Sequence, residues 1–329
     1  MISLWIAAIL VLFVFGLAQR AWLNLKIVRN QKNRLRAYNL AKAGINKAIM
    51  LAEEDAGDSQ TKDYDTILEC GVSLKERDPK EIFREGSTDN GEGFEIGLYN
   101  NNEFIYGLTD EDSKINLDSD FLATLLQKRQ VEGGIELAQT IRGWMNPESS
   151  LANLGSSRIP KKEALNTPEE LILILEYFFS SKNILDTKEK ARQEYEKFKD
   201  FVTIFGDGKI NINTASRETL EILTGVFAQQ NSLNIDTDAL ASRIIELRDA
   251  PQRKYYKNIG ELEEDIQQDQ NLNLDDMVKG SLISFLAPLL KYNSDYLKIN
   301  AKGFVGNTIK QVNMVYDRTA KKVVYWHEN

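Results

Sequence analysis

The residue types that carry most enzymatic chemistry are scarce in this 329-residue sequence, which has one Cys and one His. Cys70 has no second thiol with which to form an intramolecular disulfide or a cysteine metal cluster. His327 lies far in sequence from any recognisable nucleophile, so a His-dependent triad is not expected. A Gly-rich phosphate loop and a paired-carboxylate motif of clear spacing are also missing. A membrane-anchored enzyme is therefore the third of three functional hypotheses.

Carboxylates are the remaining groups that could hold a cofactor. Calcium takes roughly six to eight oxygen ligands, usually several from one loop. The sequence has one acidic cluster, formed by Asp110, Glu111, Asp112, Asp118 and Asp120. Such a cluster is also typical of a solvated loop, which we consider the better explanation. The residues by themselves therefore assign neither a metal site nor a cofactor.

A short motif occurs twice in the middle of the chain. Residues 114–118 read Lys-Ile-Asn-Leu-Asp, and residues 209–213 read Lys-Ile-Asn-Ile-Asn. Each copy precedes a helical pattern with a similar apolar trio. We predict two related helical repeats, each with an extended Lys-Ile-Asn piece ahead of an Asn or Asp that caps a helix. Chance recurrence of a common capping pattern is the alternative. The structural residues of the motif are Asn116, Asp118, Asn211 and Asn213.

These motifs lie in a helical region that is flanked by strand patterns. Alternation at Phe94–Leu98 and an apolar segment at Phe104–Leu108 predict a hairpin, and strands return at Tyr296–Val305, Ile309–Tyr316 and Val323–Trp326. Residues 53–92 are predicted to be irregular. Helical spacing predicts eight helices between the strand groups: Phe121–Arg129, Ile135–Met145, Pro168–Phe179, Lys188–Phe201, Glu218–Val226, Thr237–Arg248, Ile259–Gln268 and Asp275–Leu286.

The start of the sequence predicts a membrane span. From Met1 to Ala18 only Ser3 and Gly16 are not strongly apolar, and Arg20 is the first charge. At about 1.5 Å per residue this stretch just crosses a hydrocarbon core of roughly 30 Å. A cleaved secretory signal is the alternative, but no basic residue precedes the stretch and no Ala-x-Ala pattern ends it. The expected anchoring side chains are Ile2, Trp5, Ile6, Leu10, Phe13 and Leu17.

The anchor is expected to continue as one helix of about fifty residues, because apolar residues recur at spacings of three and four as far as Ala52. Residues 1–52 carry eight Lys or Arg and no acid. Since the whole chain carries −8, the remaining residues carry −16. So acidic a body disfavours binding to nucleic acid. The basic run from Arg20 to Arg36 would place the body in the cytoplasm by the positive-inside rule.

Together these patterns predict an α+β fold, in which a long N-terminal helix packs on an antiparallel sheet and a large all-α domain is inserted between strands. The predicted parts are the transmembrane part of the helix (1–20), the rest of that helix (21–55), the first strands (56–109), the inserted helical domain (110–290) and the last strands (291–329).

Several segments, in order along nearly the whole chain, resemble one family, the type II secretion minor pseudopilin K or general secretion pathway protein K. Leu40–Ala48 is similar to the helix of pilin-like proteins. Gly107–Leu117 is similar to the start of the family's inserted domain, Ala164–Leu171 to its middle and Phe201–Ser216 to its second repeat. Val323–Glu328 is similar to the family's last strand.

The resemblance implies a non-enzymatic subunit with a pilin-like fold and a helical insertion. Such a subunit lies at the tip of a periplasmic pseudopilus and primes fibre assembly with minor pseudopilins I and J, for export of folded proteins across the outer membrane. The implied partners also include the inner-membrane assembly platform. The implied location is a single-pass anchor in the inner membrane with the bulk of the chain in the periplasm, which conflicts with the charge rule.

Departures from the family concern the start of the chain and the metal. Prepilins carry a basic leader that prepilin peptidase removes; we expect either a leader upstream of this sequence, which would resolve the orientation conflict, or a mature chain that begins at Met1. If Met1 is the mature start, Trp5 stands where most pilins have a Glu. The K subunit of the family also lacks that Glu. The resemblance allows for calcium in the inserted domain, but the loop after Trp144 offers one carboxylate, Glu148.

The competing hypothesis is a membrane-anchored DNA receptor, because Gly208–Ser216 also resembles the helix-hairpin-helix module of bacterial competence DNA receptors. That module needs a Gly-containing turn whose backbone N–H groups approach a phosphate. The predicted turn here, Thr224–Gln230, has only one Gly and is followed by a long insertion before Ala241. The phosphate cradle of the module is therefore missing. Seven Lys or Arg oppose eleven Asp or Glu from Lys209 to Gln270. We therefore expect no nucleic-acid partner.

Overall fold

The computed structural model describes residues 2–59, 62–65, 78–87, 91–100, 103–151, 159–182, 184, 186–249, 255–272 and 274–328. The helices in chain order are α1 (Ile2–Gly57), α2 (Pro79–Phe83), α3 (Leu122–Lys128), α4 (Gly134–Met145), α5 (Glu170–Ser181), α6 (Thr187–Glu196), α7 (Arg217–Gln230), α8 (Thr237–Arg248), α9 (Ile259–Gln268) and α10 (Asp276–Leu286). The strands are β1 (Arg84–Ser87), β2 (Glu92–Asn100), β3 (Glu103–Tyr106), β4 (Thr109–Asp110), β5 (Ile115–Asn116), β6 (Val202–Thr203), β7 (Ile210–Asn211), β8 (Leu290–Lys291), β9 (Tyr296–Val305), β10 (Thr308–Asp317) and β11 (Lys322–Glu328).

The first element, α1, is one continuous helix of 56 residues, about 84 Å long at 1.5 Å per residue. It contains no Pro that would break it. The predicted long helix is therefore confirmed. Its first part, as far as Arg36, is exposed wherever its side chains are described, apart from half-buried Asn33. Its second part packs on the main sheet, so the helix projects well beyond the body.

The main sheet is antiparallel, with the order β1-β2-β9-β10-β11; β3 also pairs with β2, and β4 with β9. Side chains of β9 alternate strictly between buried and half-buried, as expected when one face covers a core. The buried face meets α1, where Ala41, Ile45 and Ala48 pack against Ile299 and neighbouring apolar side chains. The two longest strands, β9 and β10, are joined by a tight turn at Gly306, whose φ is 56°.

Helix and sheet approach most closely at Gly303 of β9. A Cβ atom built on Gly303 would overlap the main-chain oxygen of Ala37 and would lie 2.5 Å from Ala41 N. Ala37 and Ala41 are themselves fully buried. Small residues on both sides therefore allow the backbones of α1 and β9 to pack directly against each other.

Helices α3 to α10 form two units between β4 and β9. In the first helical unit (residues 115–203), α3 to α6 lie between β5 and β6, which pair in parallel through Ile115↔Val202. In the second helical unit (residues 210–291), α7 to α10 lie between β7 and β8, which pair in parallel through Ile210↔Leu290. Each unit thus ends beside the strand that opens it. One apolar core runs through both units, and Phe285 of α10 contacts Phe121 of the first.

One prediction about local structure, for residues 53–92, is wrong. Residues 53–92, predicted to be irregular, contain the end of α1 and all of α2 and β1. Asp78 caps α2 by accepting a hydrogen bond from Lys80 N at 2.9 Å, and Pro79 fits the first helical turn. The strand β1 was not predicted, because it is polar and lies at the edge of the sheet, so its sequence shows no apolar alternation.

Candidate functional site

The predicted anchor residues lie along the exposed part of α1. Their exposed fractions range from 52% for Leu17 to 79% for Ile2, and nothing in the described chain covers them. The others are Trp5, Ile6, Leu10 and Phe13. Met1 lies outside the described residues. Of the described helices, this one alone is long and apolar enough to cross a membrane. Exposed apolar side chains over this length need lipid or another protein to cover them.

A charge placed in this stretch should weaken membrane attachment. We expect Leu10→Asp to cost about 2.5–3.5 kcal/mol of insertion free energy, because a carboxylate at the helix centre must leave water. The matched control is Leu25→Asp, an exposed position of the same helix beyond the predicted span. The measurement is the fraction of the protein that resists carbonate extraction. Equal extraction of both variants would contradict the anchor.

The repeated motif places its first Asn residues in equivalent turns at the ends of β5 and β7. Asn116 Oδ1 accepts a hydrogen bond from Asp118 N at 2.9 Å, and Asn211 Oδ1 accepts one from Asn213 N at 3.0 Å. The paired closing strands are also bonded alike, since Leu117 N donates to Thr203 O and Ile212 N donates to Lys291 O, each at 3.1 Å. The two motifs therefore have the same local geometry.

The second members of the motif do not cap helices, contrary to the prediction. Helix α7 is capped by Ser216, which accepts from Thr219 N, and α3 has no side-chain cap. Asn213 instead accepts from Tyr256 N at 2.7 Å and donates to Tyr256 O at 2.8 Å. Asn213 is buried, and it can satisfy this buried backbone because an amide both donates and accepts. Asp118 is exposed.

A buried polar junction joins the helical units to the sheet. The assignment of the acidic cluster to a solvated loop is wrong for Asp110, Glu111 and Asp112, which are buried. At the centre of the junction is Asp110, whose Oδ2 accepts hydrogen bonds from Asn211 Nδ2 at 3.0 Å and from Thr214 Oγ1 at 2.5 Å. Burial raises the pKa of Asp110. The neighbouring Asp112 accepts from Asp295 N at 2.7 Å and lies 3.1 Å from Lys291 Nζ. Asp110 and Asp112, which precede the first unit, thus bind residues of the second unit and of the segment that leads into β9.

The other side of the junction is built around Arg318, which follows β10. Its guanidinium donates to Asp65 Oδ2 at 2.5 Å and to Asp55 Oδ2 at 3.0 Å. Ser294 N also donates to Asp65 at 2.6 Å. Because Asp55 belongs to α1 and Asp65 to the segment after it, this triad fixes the end of α1 to the sheet.

The triad holds two carboxylates for one cation. Burial is the main cause that raises the pKa of Asp65 to about 8, and Asp55 raises it further. The atoms Asp55 Oδ1 and Asp65 Oδ1 are buried and have no hydrogen-bond partner among the described residues. A proton held on Asp65 near neutral pH would leave one carboxylate to balance Arg318, so the buried group would carry no net charge.

Asp65→Asn should remove part of the pH dependence of stability. Since the folded-state pKa of Asp65 is raised to about 8, the folded state binds this proton more tightly than the unfolded state does. The free energy of unfolding therefore falls as pH rises from about 4 to about 8, by at most about 1.4 kcal/mol per pH unit. An Asn amide resembles the protonated carboxyl in shape but does not titrate. The free energy of unfolding of the variant should therefore change less with pH.

The measurement is urea unfolding of the full-length protein in detergent between pH 6 and pH 8. Burial also raises the pKa of Asp112, to about 6, so the lower part of the range is left out. Asp236→Asn, at the exposed N-cap of α8, serves as the control. Parallel pH profiles for Asp65→Asn and the unmutated protein would contradict the proton assignment.

The acidic cluster from Asp110 to Asp120 does not gather its carboxylates around one point. Asp110 and Asp112 use their oxygens within the junction, and Glu111 is bonded to Lys114 Nζ at 2.5 Å and Thr203 Oγ1 at 2.7 Å. Asp118 and Asp120 line an open groove of about 700 Å³, and Asp120 pairs with Arg142. No group of three or more metal-binding side chains occurs within the described ranges. Calcium binding stays a prediction from resemblance.

The hairpin turn expected for DNA binding is not formed. The predicted turn, Thr224–Gln230, is the last part of α7, which ends at Gln230. Gly225 therefore lies inside a helix, where its backbone N–H is part of the helical ladder rather than a phosphate cradle. The nearby Arg217 pairs with Asp238 of α8. This geometry offers no support for the DNA-receptor hypothesis.

Comparison with solved structures found chains of the same architecture. A chain of the GspK-GspI-GspJ complex from the enterotoxigenic Escherichia coli type 2 secretion system matches with a TM-score of 0.58 and 13% sequence identity, over 92% of this chain and 99% of that chain. Neither a family model nor a curated protein sequence matches. At this identity the likeness shows the fold alone. The α+β pilin-like fold and the resemblance to minor pseudopilin K are confirmed at that level.

Proposed function

We propose that this chain is a structural subunit of a type II secretion pseudopilus, a minor pseudopilin that lies at the fibre tip and primes assembly with two other minor pseudopilins. The proposal rests on one observation. A chain of the GspK-GspI-GspJ complex shares this fold over 99% of its length, which includes the helical insertion as well as the pilin-like part. The expected partners are therefore proteins of the I and J type.

The form of the molecule suits this role. The apolar part of α1 can be held in a membrane and then bundled with helices of other subunits, since its side chains are exposed in the isolated chain. Among the described residues, the apolar core of the sheet packs on the second part of the helix. Two helical units make this body bulky, and this bulk supports a tip position, where no further subunit stacks above it.

We further propose a single-pass location in the inner membrane, with the body in the periplasm, where it contributes to export of folded proteins across the outer membrane. Prepilin peptidase and the inner-membrane assembly platform would be the other partners. No chemical step is proposed for the chain, because its conspicuous buried carboxylates are used in holding elements together. The protein would act through contacts alone.

The test is complex formation with the full-length I and J subunits of the same secretion system. The three chains would be co-expressed, extracted in detergent, purified by a tag on this chain and analysed by size-exclusion chromatography with light scattering. We expect a complex with one copy of each. A chain that purifies without either subunit would contradict the proposal, and salt-sensitive binding of the same preparation to duplex DNA would favour the receptor hypothesis.

A further inference from the structure

A row of basic side chains runs along the exposed part of α1. Lys26, Arg29, Lys32 and Arg36 follow each other at spacings of three, three and four residues, which places them on one face of the helix. All four are exposed. We name these four residues the basic stripe.

The stripe is nearly unneutralised within the chain. Arg36 pairs with Glu92 of β2 at 3.0 Å, and Lys26 Nζ lies 5.1 Å from the centre of the Trp22 ring. Among the described residues, no ion pair is formed by Lys26, Arg29 or Lys32. The first 52 residues contain no acid, so α1 cannot supply one nearby. Like charges three residues apart on a helix repel each other, and a negative partner would remove that repulsion.

Two kinds of negative surface could meet the stripe, and distances along the helix separate them. If the hydrocarbon ends near Arg20, Lys26 lies about 9 Å farther along the axis, Arg29 about 13 Å and Lys32 about 18 Å. The headgroup layer adds only about 5–7 Å on each side, and the Debye length is about 8 Å at physiological salt. Lys26 can reach lipid phosphates, whereas Lys32 and Arg36 lie too far from them when the helix stands upright.

We propose that the basic stripe binds an acidic face of a helix from a neighbouring pseudopilin, with Asp or Glu at spacings of three and four, packed alongside α1. A row on one face of the helix can meet a partner helix that packs alongside α1. Exposed Trp22 and Leu25 lie next to the stripe on its membrane side and supply apolar contact to the same helix. The inference rests on the proposed function, because a fibre brings such helices together.

The test uses Arg29→Glu/Lys32→Glu in the full-length chain, since neither residue forms an ion pair among the described residues and Lys32 lies too far from the lipid phosphates. The matched control is Arg34→Glu/Lys42→Glu, which reverses the same amount of charge at exposed positions off the stripe. Both variants are co-expressed with the I and J subunits and purified in detergent. The readouts are the retained fraction of each subunit at several NaCl concentrations and the phosphatidylglycerol that remains bound per protein.

We expect Arg29→Glu/Lys32→Glu to retain at least about tenfold less of one partner and to lose the salt dependence of that retention, while the control behaves like the unmutated chain. Equal retention by both variants overturns the inference. Loss of bound phosphatidylglycerol with an intact complex also overturns it, in favour of lipid. If the unmutated chain forms no complex, the proposed function fails and the inference fails with it; if only the effect of the stripe is missing, the function stands.

Discussion

Arg318→Met is expected to lower the free energy of unfolding by about 3–5 kcal/mol, because it leaves the buried Asp55–Asp65 pair, which carries one negative charge when Asp65 is protonated, without its cation. The exposed fraction of the side chain is 1% for Asp55 and for Asp65, and 10% for Arg318. Arg318 also donates to Ser294 O at 3.0 Å and Ala52 O at 3.3 Å, so two backbone acceptors lose a partner as well. Met replaces the side chain only about as far as Nε, so the variant loses the guanidinium with its charge and its hydrogen bonds but keeps an apolar stem of similar shape.

Urea unfolding of the full-length protein in detergent at pH 7 measures this effect. Arg217→Met is the control, since its ion pair with Asp238 is half exposed on both sides and should contribute nothing measurable. Adding Asp55→Asn and Asp65→Asn to Arg318→Met should recover part of the loss, because the buried charges then disappear. An Arg318→Met protein as stable as the control would show that the triad does not hold α1 to the sheet.

Gly303→Ala should be the second most damaging change. The added methyl would overlap the Ala37 carbonyl and crowd Ala41 N, and neither atom belongs to a side chain that can turn away. Overpacking of this kind costs about 1–3 kcal/mol in cores, and we expect the upper end because backbone must move. The loss should show in the same unfolding measurement, together with faster proteolysis between α1 and β2.

Gly280→Ala is the matched control for Gly303→Ala. Gly280 lies in the middle of α10, and a Cβ there meets nothing within 4 Å. Ala is the better helix former by about 0.8–1 kcal/mol, so this variant should be unchanged or slightly more stable. A similar loss in both variants would mean that close packing of α1 on β9 is not what Gly303 provides.

Periodicity predicted most of the elements, because it records which side of an element is buried. The alternation around Ile299 predicted β9 from its first residue to its last, and the pattern Thr237–Arg248 coincides with α8. Periodicity failed to predict elements where the apolar pattern is weak or interrupted. The edge strand β1 is polar, and α7 continues past Gly225 because a single Gly weakens a helix without ending it.

The polar junction could not be predicted, because its members are far apart in the chain. Asp65 and Arg318 are separated by 253 positions, and Asp110 and Asn211 by 101. A local motif reports a neighbour a few residues away, whereas these pairs depend on how the helical units return to the sheet. The repeat at Asn116 and Asn211 was visible in the sequence, but the contacts of Asn213 to Tyr256 were not.

The parallel closing strands of the two helical units have a consequence for how such a molecule can change over evolutionary time. Neighbouring strands lie about 4.8 Å apart, so β5 and β6, like β7 and β8, bring the two ends of a long excursion back to almost one place. Each helical unit therefore begins and ends at neighbouring points of the fold. Helices within it can be lengthened, duplicated or lost without shifting β4 or β9, and the sheet that carries α1 need not be rebuilt when the exposed end of the molecule diversifies.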